Sequence, residues 1–267
     1  MTAHALEVFR YSQGERALLM SVPHLGTEIV ADIAARLKPR AIASPDTDFH
    51  LDRLYDFASV LRVSRLEARY SRYVIDLNRP PNDGDLYPGA DSTGLVPVDT
   101  FAGEALYRDA LPDSGEIEVR LATYWQPYHT ALADELTRLR AEFGTVVLFD
   151  CHSIRSRVPR FFDGQLPDFN LGTANGTSCA PELRALLRST LDVPDFTLTV
   201  DGRFKGGYIT RHYGAPGDGV HAFQLELSQA TYMHEDASNA FDEARAEQVR
   251  PCLRRMLEAA LQWVEGQ

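Results

Sequence analysis

Residues 145–157 have the sequence TVVLFDCHSIRSR, and they carry the clearest indication of the fold. The run 145–149 is short and apolar, which is typical of a strand buried on both faces of a sheet. The polar segment 150–153, DCHS, follows it directly. In open α/β sheets, functional side chains gather at the carboxyl ends of the strands. The stretch therefore predicts a central buried strand that delivers polar residues to a site.

On either side of this stretch, other short apolar runs alternate with helical patterns. Apolar runs predict strands at 17–22, 73–77, 197–200 and 223–227. Helical periodicity predicts helices at 28–37, 49–61, 125–143, 181–191 and 240–264, with Gly144 ending the third of them. This alternation indicates the α/β class, with helices packed on a mixed sheet. We expect one domain over residues 1–267, in which the Pro-, Gly- and Asp-rich segment 80–111 is a long functional loop.

Composition excludes several classes of function. The 267 residues carry a formal net charge of −11, which argues against general binding to nucleic acid or to an anionic membrane surface. No apolar run is long enough to cross a bilayer, and residues 1–15 lack the pattern of a signal peptide. Three scattered cysteines predict no disulfide framework, and we expect a cytoplasmic protein. A small anionic substrate remains compatible, because a local arginine cluster can dominate a pocket.

The predicted strand ends carry residues suited to metal-dependent hydrolysis. His24, Asn78–Arg79 and His152 each follow a predicted strand, and Glu226 lies near the end of another. A metallohydrolase needs nitrogen and oxygen ligands, a carboxylate that moves protons, and a cation that holds the substrate. Each residue alone has a structural explanation, such as a solvated arginine or a paired carboxylate. Their arrival at four strand ends favours one site.

The residues alone leave the third metal ligand open. Glu28 lies four residues after His24, so both side chains would share a face if a helix began at once. A second supply of ligands lies in the segment 44–52, SPDTDFHLD. Its candidates are Asp46, Asp48, His50 and Asp52, although Ser44 or Asp46 could instead cap the following helix.

Two basic segments predict recognition of carboxylates. The segment that begins at His152, HSIRSRVPRFF, carries Arg155, Arg157 and Arg160. The segment 202–214, GRFKGGYITRHYG, supplies a further set around a pair of glycines: Arg203, Lys205, Arg211 and His212. Guanidinium groups bind carboxylates in a bidentate manner, and paired glycines permit close approach of the backbone to a ligand. The alternative is an exposed basic loop on an acidic protein.

Taken together, these stretches resemble the N-formylglutamate amidohydrolase family. The matching segments span nearly the whole chain in family order: PHLG at 23–26, PDTDFH at 45–50, YSRYVIDLNRP at 70–80, DCHSIRSRVPRFFDGQLPDFNLGT at 150–173, GRFKGGYITRHYG at 202–214 and QLELSQATYM at 224–233. The resemblance implies a three-layer α/β/α sandwich of the zinc-peptidase type. It also implies hydrolysis of N-formyl-L-glutamate to formate and L-glutamate in histidine degradation.

The order of motifs is also similar to that of zinc carboxypeptidases and aspartoacylases. In those relatives a His-x-x-Glu pair and a later histidine bind the metal. Here the third residue after His24 is Thr27, and the DTD-x-H segment belongs to the deformylase motif. The resemblance therefore implies His24, Asp48 and His152 as ligands of Zn²⁺ or another divalent metal, with Glu28 as the alternative.

The resemblance also implies roles for the remaining residues. Glu226 would act as general base on the attacking water, and Arg79 would assist catalysis. Asn78 and Arg79 would hold one carboxylate of a small dicarboxylate substrate, and the other would be held within the set Arg155, Arg157, Lys205 and Arg211. Rival functions are a related N-acyl amino-acid hydrolase, a carboxypeptidase of the same fold, or a metal-free binder of acidic metabolites. Both histidines and Glu226 are present, which favours an enzyme.

Overall fold

The seven strands in the described part of the chain form a single mixed sheet. The structure is a computed structural model that describes residues 7–86, 89 and 91–267. Its strands are β1 (Phe9–Ser12), β2 (Leu18–Val22), β3 (Ser64–Ala68), β4 (Val146–Ile154), β5 (Phe169–Gly172), β6 (Leu198–Val200) and β7 (Val220–Ser228). Their order across the sheet is β1-β3-β2-β4-β7-β5-β6. The four central strands are parallel, whereas β1 pairs antiparallel with β3 and β5 antiparallel with β7.

Helices cover both faces of this sheet. They are α1 (Ala31–Ala34), α2 (Pro39–Ile42), α3 (Leu51–Leu54), α4 (Ser114–Arg120), α5 (Gln126–Phe143), α6 (Pro181–Leu191), α7 (Tyr208–Tyr213) and α8 (Glu243–Glu265). One hydrophobic core joins α6 and α8 to the sheet, and a second core joins α5 to the opposite face. The predicted three-layer α/β/α sandwich is confirmed. Among the described helices, none is both long and apolar enough to cross a membrane.

Side-chain alternation along β4 explains where polar groups gather. Val147 and Phe149 pack in the core beneath α6 and α8, whereas Leu148 packs in the core beneath α5. Successive side chains of a strand point to opposite faces, so Asp150 and His152 continue the face of Leu148. This face of β4 is therefore apolar in its first half and polar toward its carboxyl end.

The neighbouring strand β7 repeats the pattern in register. Ala222 contributes to the core beneath α5, and Gln224 and Glu226 follow on the same face. The parallel pairing aligns Asp150 with Gln224 and His152 with Glu226. Four polar side chains are thus brought side by side at the carboxyl end of two central, buried strands.

Four of the five predicted strands are confirmed, as β2, β4, β6 and β7. The difference in β4 is its length, because the strand continues through Ile154 and contains the segment 150–153 instead of preceding it. The short strands β1, β3 and β5 were not predicted.

The prediction of a strand at 73–77 is wrong. Its apolar side chains are buried in the core beneath α5, but its backbone forms a turn. The amide of Val74 donates to Ser71, and that of Asp76 donates to Leu95 O at 2.7 Å. The length of an apolar run indicates that a segment is buried, but not which groups its backbone bonds to. A buried irregular segment therefore gives the same signal as a strand.

The predicted helices at 125–143, 181–191 and 240–264 are confirmed, and those at 28–37 and 49–61 are wrong. The predicted helices 28–37 and 49–61 shrink to the single turns α1 and α3, the second followed by a 3₁₀ turn at Asp56–Ala58. The helix at 125–143 belongs to a longer segment, because a π-helical turn, Leu121–Trp125, joins α4 to α5. Gly144 ends α5 with φ of 80°, as predicted, and α6 and α8 match their predicted regions. The described part of residues 80–111 contains only isolated bridges.

Arg120 provides a test of how the irregular segment 73–77 is stabilised. Its buried guanidinium donates to the carbonyls of Tyr73 and Val74, the latter at 2.9 Å, and pairs with Glu116. Arg120→Met should lower the free energy of unfolding by about 1–3 kcal/mol, because buried carbonyls lose their donor. Urea denaturation measures this. Arg140→Met, at an exposed position on α5, should change it by less than about 0.5 kcal/mol. Equal effects of the two variants would contradict this account.

Candidate active site

His24, Asp48 and His152 form a buried group that could hold a metal ion. Their ligand atoms all lie within 4.8 Å of one another. His24 lies two residues beyond β2, and its carbonyl accepts the amide of Asp48 at 3.0 Å, which places the carboxylate beside it. Asp48 Oδ2 lies 3.1 Å from His152 Nδ1 and 3.8 Å from His24 Nδ1. Both rings therefore present Nδ1 to the same carboxylate.

A buried aspartate holds the far nitrogen of each ring. Asp76 Oδ1 lies 2.7 Å from His24 Nε2, and Asp150 Oδ1 lies 2.9 Å from His152 Nε2. Burial raises the pKa of Asp76, but His24 and Arg72 outweigh it and hold this pKa well below its usual range. A carboxylate on one ring nitrogen fixes the tautomer and leaves the other nitrogen as a ligand. The donor set of two imidazoles and one carboxylate fits Zn²⁺ with a further position left for water.

The structure places Asp48 with the histidines and Glu28 away from them. Glu28 is exposed and pairs with Arg69 at 3.0 Å. Asp46 is buried and accepts the amide of Phe101 at 2.8 Å, so its carboxylate serves the loop. Neither Asp46 nor Ser44 caps α3, because the N-cap of this helix is His50, without a side-chain cap bond.

Asn78 lies against the second histidine. Its Nδ2 atom is 2.8 Å from His152 Nε2 and 3.0 Å from Asp150 Oδ2, and its Oδ1 accepts the amide of Ile209 at 2.7 Å. A Cβ atom on Gly207 would lie only 2.4 Å from Asn78 Nδ2. One glycine of the pair at 206–207 thus permits the close approach of this amide.

Helix α5 and the π-helical turn before it hold the segment that carries Asn78 and Arg79. Trp125 Nε1 donates to the carbonyl of Arg79 at 3.0 Å, and His129 Nε2 lies 2.8 Å from the carbonyl of Leu77. The Trp125 and His129 rings stack at 3.7 Å. Burial lowers the pKa of His129 to about 4, so the neutral ring donates through Nε2. These contacts position an irregular segment that no strand holds.

A cavity opens on the two histidines of this candidate metal-binding group. It is lined by His24, Arg72, Asp76, Asn78, Arg79, Leu86, Asp91, Ser92, Thr93, Phe101, His152, Ser153, Ile154, Phe161, Arg203, Phe204, Gly207, Gln224 and Glu226. Burial raises the pKa of Glu226 to about 8. Gln224 orients this carboxyl group, because its Nε2 donates to Glu226 Oε2 at 3.3 Å while its Oε1 accepts the amide of Gly207. Glu226 is suited to exchange protons near neutral pH.

Known proteins share this arrangement of sequence and fold. The sequence profile described as N-formylglutamate amidohydrolase matches residues 16–233. The chain belongs to the N-formylglutamate amidohydrolase family. Curated relatives named N-formylglutamate deformylase, from Pseudomonas aeruginosa and Pseudomonas putida, are 51% and 47% identical to it over 259 residues. Each alignment covers 96% of this chain and 97% of the relative.

Solved structures agree with this assignment. The crystal structure of N-formylglutamate amidohydrolase from Ralstonia eutropha superposes with a TM-score of 0.80 at 26% identity, covering 97% of this chain and 98% of that chain. A gene product of Agrobacterium tumefaciens shares the fold, with a TM-score of 0.73 at 17% identity, over 97% of this chain and 96% of that chain. The predictions of the family, of the fold and of an amidohydrolase are confirmed.

The predicted cations differ in whether they line this cavity. Arg79 lines the cavity. Four others do not belong to its lining: Arg155, Arg157, Lys205 and Arg211. Arg155 donates to Asn239 Oδ1 at 2.6 Å, Arg157 is exposed, and Arg211 donates to the carbonyl of Gly206 at 2.8 Å. The cation that the 202–214 segment brings to the cavity is instead Arg203.

Several residues of the site were not assigned from the sequence. They are Arg72, Asp76, Asp150 and Gln224. Asp150 and Gln224 each lie two residues before a predicted site residue on a strand, and such spacing puts both side chains on one face. That periodicity was a usable signal. Asp76 lies on a turn, where no periodicity applies.

The partners of Asp150 predict its effect on metal binding. Its Oδ2 accepts from Asn78 Nδ2 and from Thr210 Oγ1 at 3.1 Å. In an Asp150→Asn variant, an NH₂ group in place of either carboxylate oxygen would face a hydrogen-bond donor. Asp150→Asn should weaken binding of Zn²⁺ about 10- to 100-fold, as loss of an outer partner of a metal-binding histidine typically does. Competition with a chromogenic chelator measures this. Glu28→Gln is the control and should leave the affinity unchanged. If only Glu28→Gln weakened binding, the metal would lie elsewhere.

Proposed function

We propose that this chain hydrolyses N-formyl-L-glutamate to formate and L-glutamate, as a step of histidine degradation. The observation that carries the proposal is that a buried two-histidine, one-aspartate group opens on the same cavity as Glu226 and Arg79. The names of the two Pseudomonas relatives supply the substrate. The cytoplasmic location expected from the composition stays a prediction.

The proposed cofactor is Zn²⁺ or another divalent ion. His24 Nδ1, His152 Nδ1 and Asp48 Oδ2 would hold it, since these three atoms converge while the remaining ring nitrogens bind buried aspartates. When bound, such an ion lowers the pKa of water and polarises a carbonyl oxygen.

Glu226 is the proposed proton carrier. Its carboxylate takes a proton from the water whose oxygen bonds to the formyl carbon. It then delivers that proton to the amide nitrogen as the C–N bond breaks, which yields formate and the free amine of glutamate. Buried Arg72, whose charge faces the same cavity, is suited to stabilise the negative charge that develops on the formyl oxygen.

Arg79 is the proposed anchor for one carboxylate of the substrate. Its guanidinium forms no hydrogen bond or ion pair with any residue that the structure describes, although it lines the cavity. A formyl group has no side chain to recognise, so preference for the substrate must come largely from the two carboxylates. An arginine supplies the planar, bidentate geometry that a carboxylate matches.

A panel of substrates tests the proposal. Zinc-loaded protein should release formate from N-formyl-L-glutamate, and a chelator should abolish this release. For N-formyl-L-glutamine, kcat/KM should fall by about tenfold or more, because one charge-assisted contact is lost. Coupled formate dehydrogenase measures the rate. Equal turnover of N-acetyl-L-glutamate would indicate a broader acyl-amino-acid hydrolase, and equal turnover of N-formyl-L-glutamine would contradict recognition of a dicarboxylate.

Glu226→Gln separates metal binding from proton transfer. The amide keeps the size of the side chain but cannot take up or release a proton near neutral pH, so kcat should fall by about 10²- to 10⁴-fold while the zinc content stays at the wild-type level. Stopped assays of formate and elemental analysis give both quantities. Glu247→Gln, at an exposed position on α8, should match the wild type. Nearly normal turnover of Glu226→Gln would assign the proton to another group.

A further inference from the structure

Three arginines line the cavity, and their local partners distinguish them. Arg72 is paired with Asp76 at 2.7 Å and lies 3.9 Å from Asp48. Its positive charge is therefore matched by carboxylates of the metal-binding region. Arg79 and Arg203 are the two remaining cations of the lining, and they come from separate segments of the chain.

These two arginines lie beside different parts of the cavity wall. Arg79 directly follows Asn78, whose amide contacts the metal-binding His152. Arg203 lies between β6 and α7, where its Nε donates to the carbonyl of Phe161 at 2.6 Å and its terminal NH₂ group donates to that of Asp91 at 3.1 Å. Both partners belong to loops at the cavity wall. Arg79 thus belongs to the metal end of the cavity and Arg203 to the loops that surround it.

The surroundings of Arg203 orient its guanidinium group. The Phe161 and Phe204 ring centroids lie 5.7 and 5.3 Å from Cζ, so aromatic faces flank the cation. Its two acceptors named above are neutral carbonyls. The nearby carboxylate of Asp91 is bound by Arg160 through two contacts, at 2.9 and 3.1 Å. A cation held by carbonyls and rings is oriented in advance for a bidentate anion.

The two carboxylates of an N-formylglutamate differ in distance from the reacting amide. The α-carboxyl carbon lies two bonds from the amide nitrogen, and the side-chain carboxyl carbon lies four bonds away. With the formyl group at the metal end, the first carboxylate stays near that end and the second reaches outward. This order matches the order of Arg79 and Arg203 along the cavity.

We propose that Arg203 binds the side-chain carboxylate of the substrate and Arg79 its α-carboxylate. Arg203 then determines the preference for an acidic side chain. This inference rests on the proposed function, since it assigns the two ends of that substrate. It also assigns the side-chain carboxylate to one residue, in place of the three arginines and one lysine expected from the sequence.

The test is the ratio of kcat/KM for N-formyl-L-glutamate to that for N-formyl-L-glutamine. Arg203→Met keeps an aliphatic stem between the rings and removes the charge. It should lower kcat/KM for the glutamate substrate about 10- to 100-fold and leave the glutamine substrate within about twofold, so that the ratio approaches one. Arg203→Lys, which keeps a point charge without the bidentate geometry, should give an intermediate ratio. Arg79→Met should lower kcat/KM for both substrates and preserve the ratio.

A variant that disturbs the loops without removing a cavity cation provides the matched control. Arg160 contacts Asp91 and the Phe161 ring, as Arg203 does, but is outside the cavity lining. Arg160→Met should change kcat/KM for both substrates by the same factor. If Arg203→Met also lowers kcat/KM for both substrates by the same factor, then Arg203 only fixes the loops and the inference is overturned. A wild-type protein without any preference for the glutamate substrate would contradict the proposed function itself.

Discussion

Two buried carboxylates, Asp76 and Asp150, each hold the Nε2 atom of one histidine, and the geometry of the site depends on this constraint. Without it, His24 and His152 could rotate or change tautomer, and their Nδ1 atoms would not converge on Asp48. A buried carboxylate requires compensation, which these receive from the imidazoles and from Arg72, Asn78 and Thr210. The same contacts therefore satisfy the aspartates and orient the metal-binding atoms.

The sheet explains how so many polar groups can be buried together. In the central strands β4 and β7, one face is apolar over 147–151 and 223–227, and it is covered by α6 and α8. The opposite face changes from apolar to polar halfway along each strand. Helix α5 covers the apolar half, and the polar half forms one wall of the cavity. Register between the strands then aligns His152 with Glu226 without any further contact being needed.

The parts of this site that could be predicted are those that lie on regular structure. The strands β2, β4 and β7 were found from their apolar runs, and with them His24, His152 and Glu226. Asn78 and Arg79 were placed correctly near the site for an incorrect reason, because they follow a turn held by Trp125 and His129 and not a strand. Of the predicted cations, Arg79 lines the cavity and four others do not. Arginines on loops have no periodicity, so only tertiary contacts decide which of them faces the cavity.

This division between strands and loops has a functional consequence. The candidate metal ligands and the proposed proton carrier, Glu226, lie on or beside buried strands, where a displacement would disturb the core. Arg203, Phe161 and Asp91 lie on loops, and Arg203 contacts the other two. Substitutions in these loops can change which substrate side chain the enzyme accepts, while the hydrolytic groups keep their positions. The net charge of −11 does not oppose such recognition, because Asp76 and Asp91, two acids of the cavity lining, are already paired with arginine or histidine. In the proposed assignment, the two carboxylates of a dicarboxylate are therefore bound by Arg79 and Arg203, which come from two separate segments.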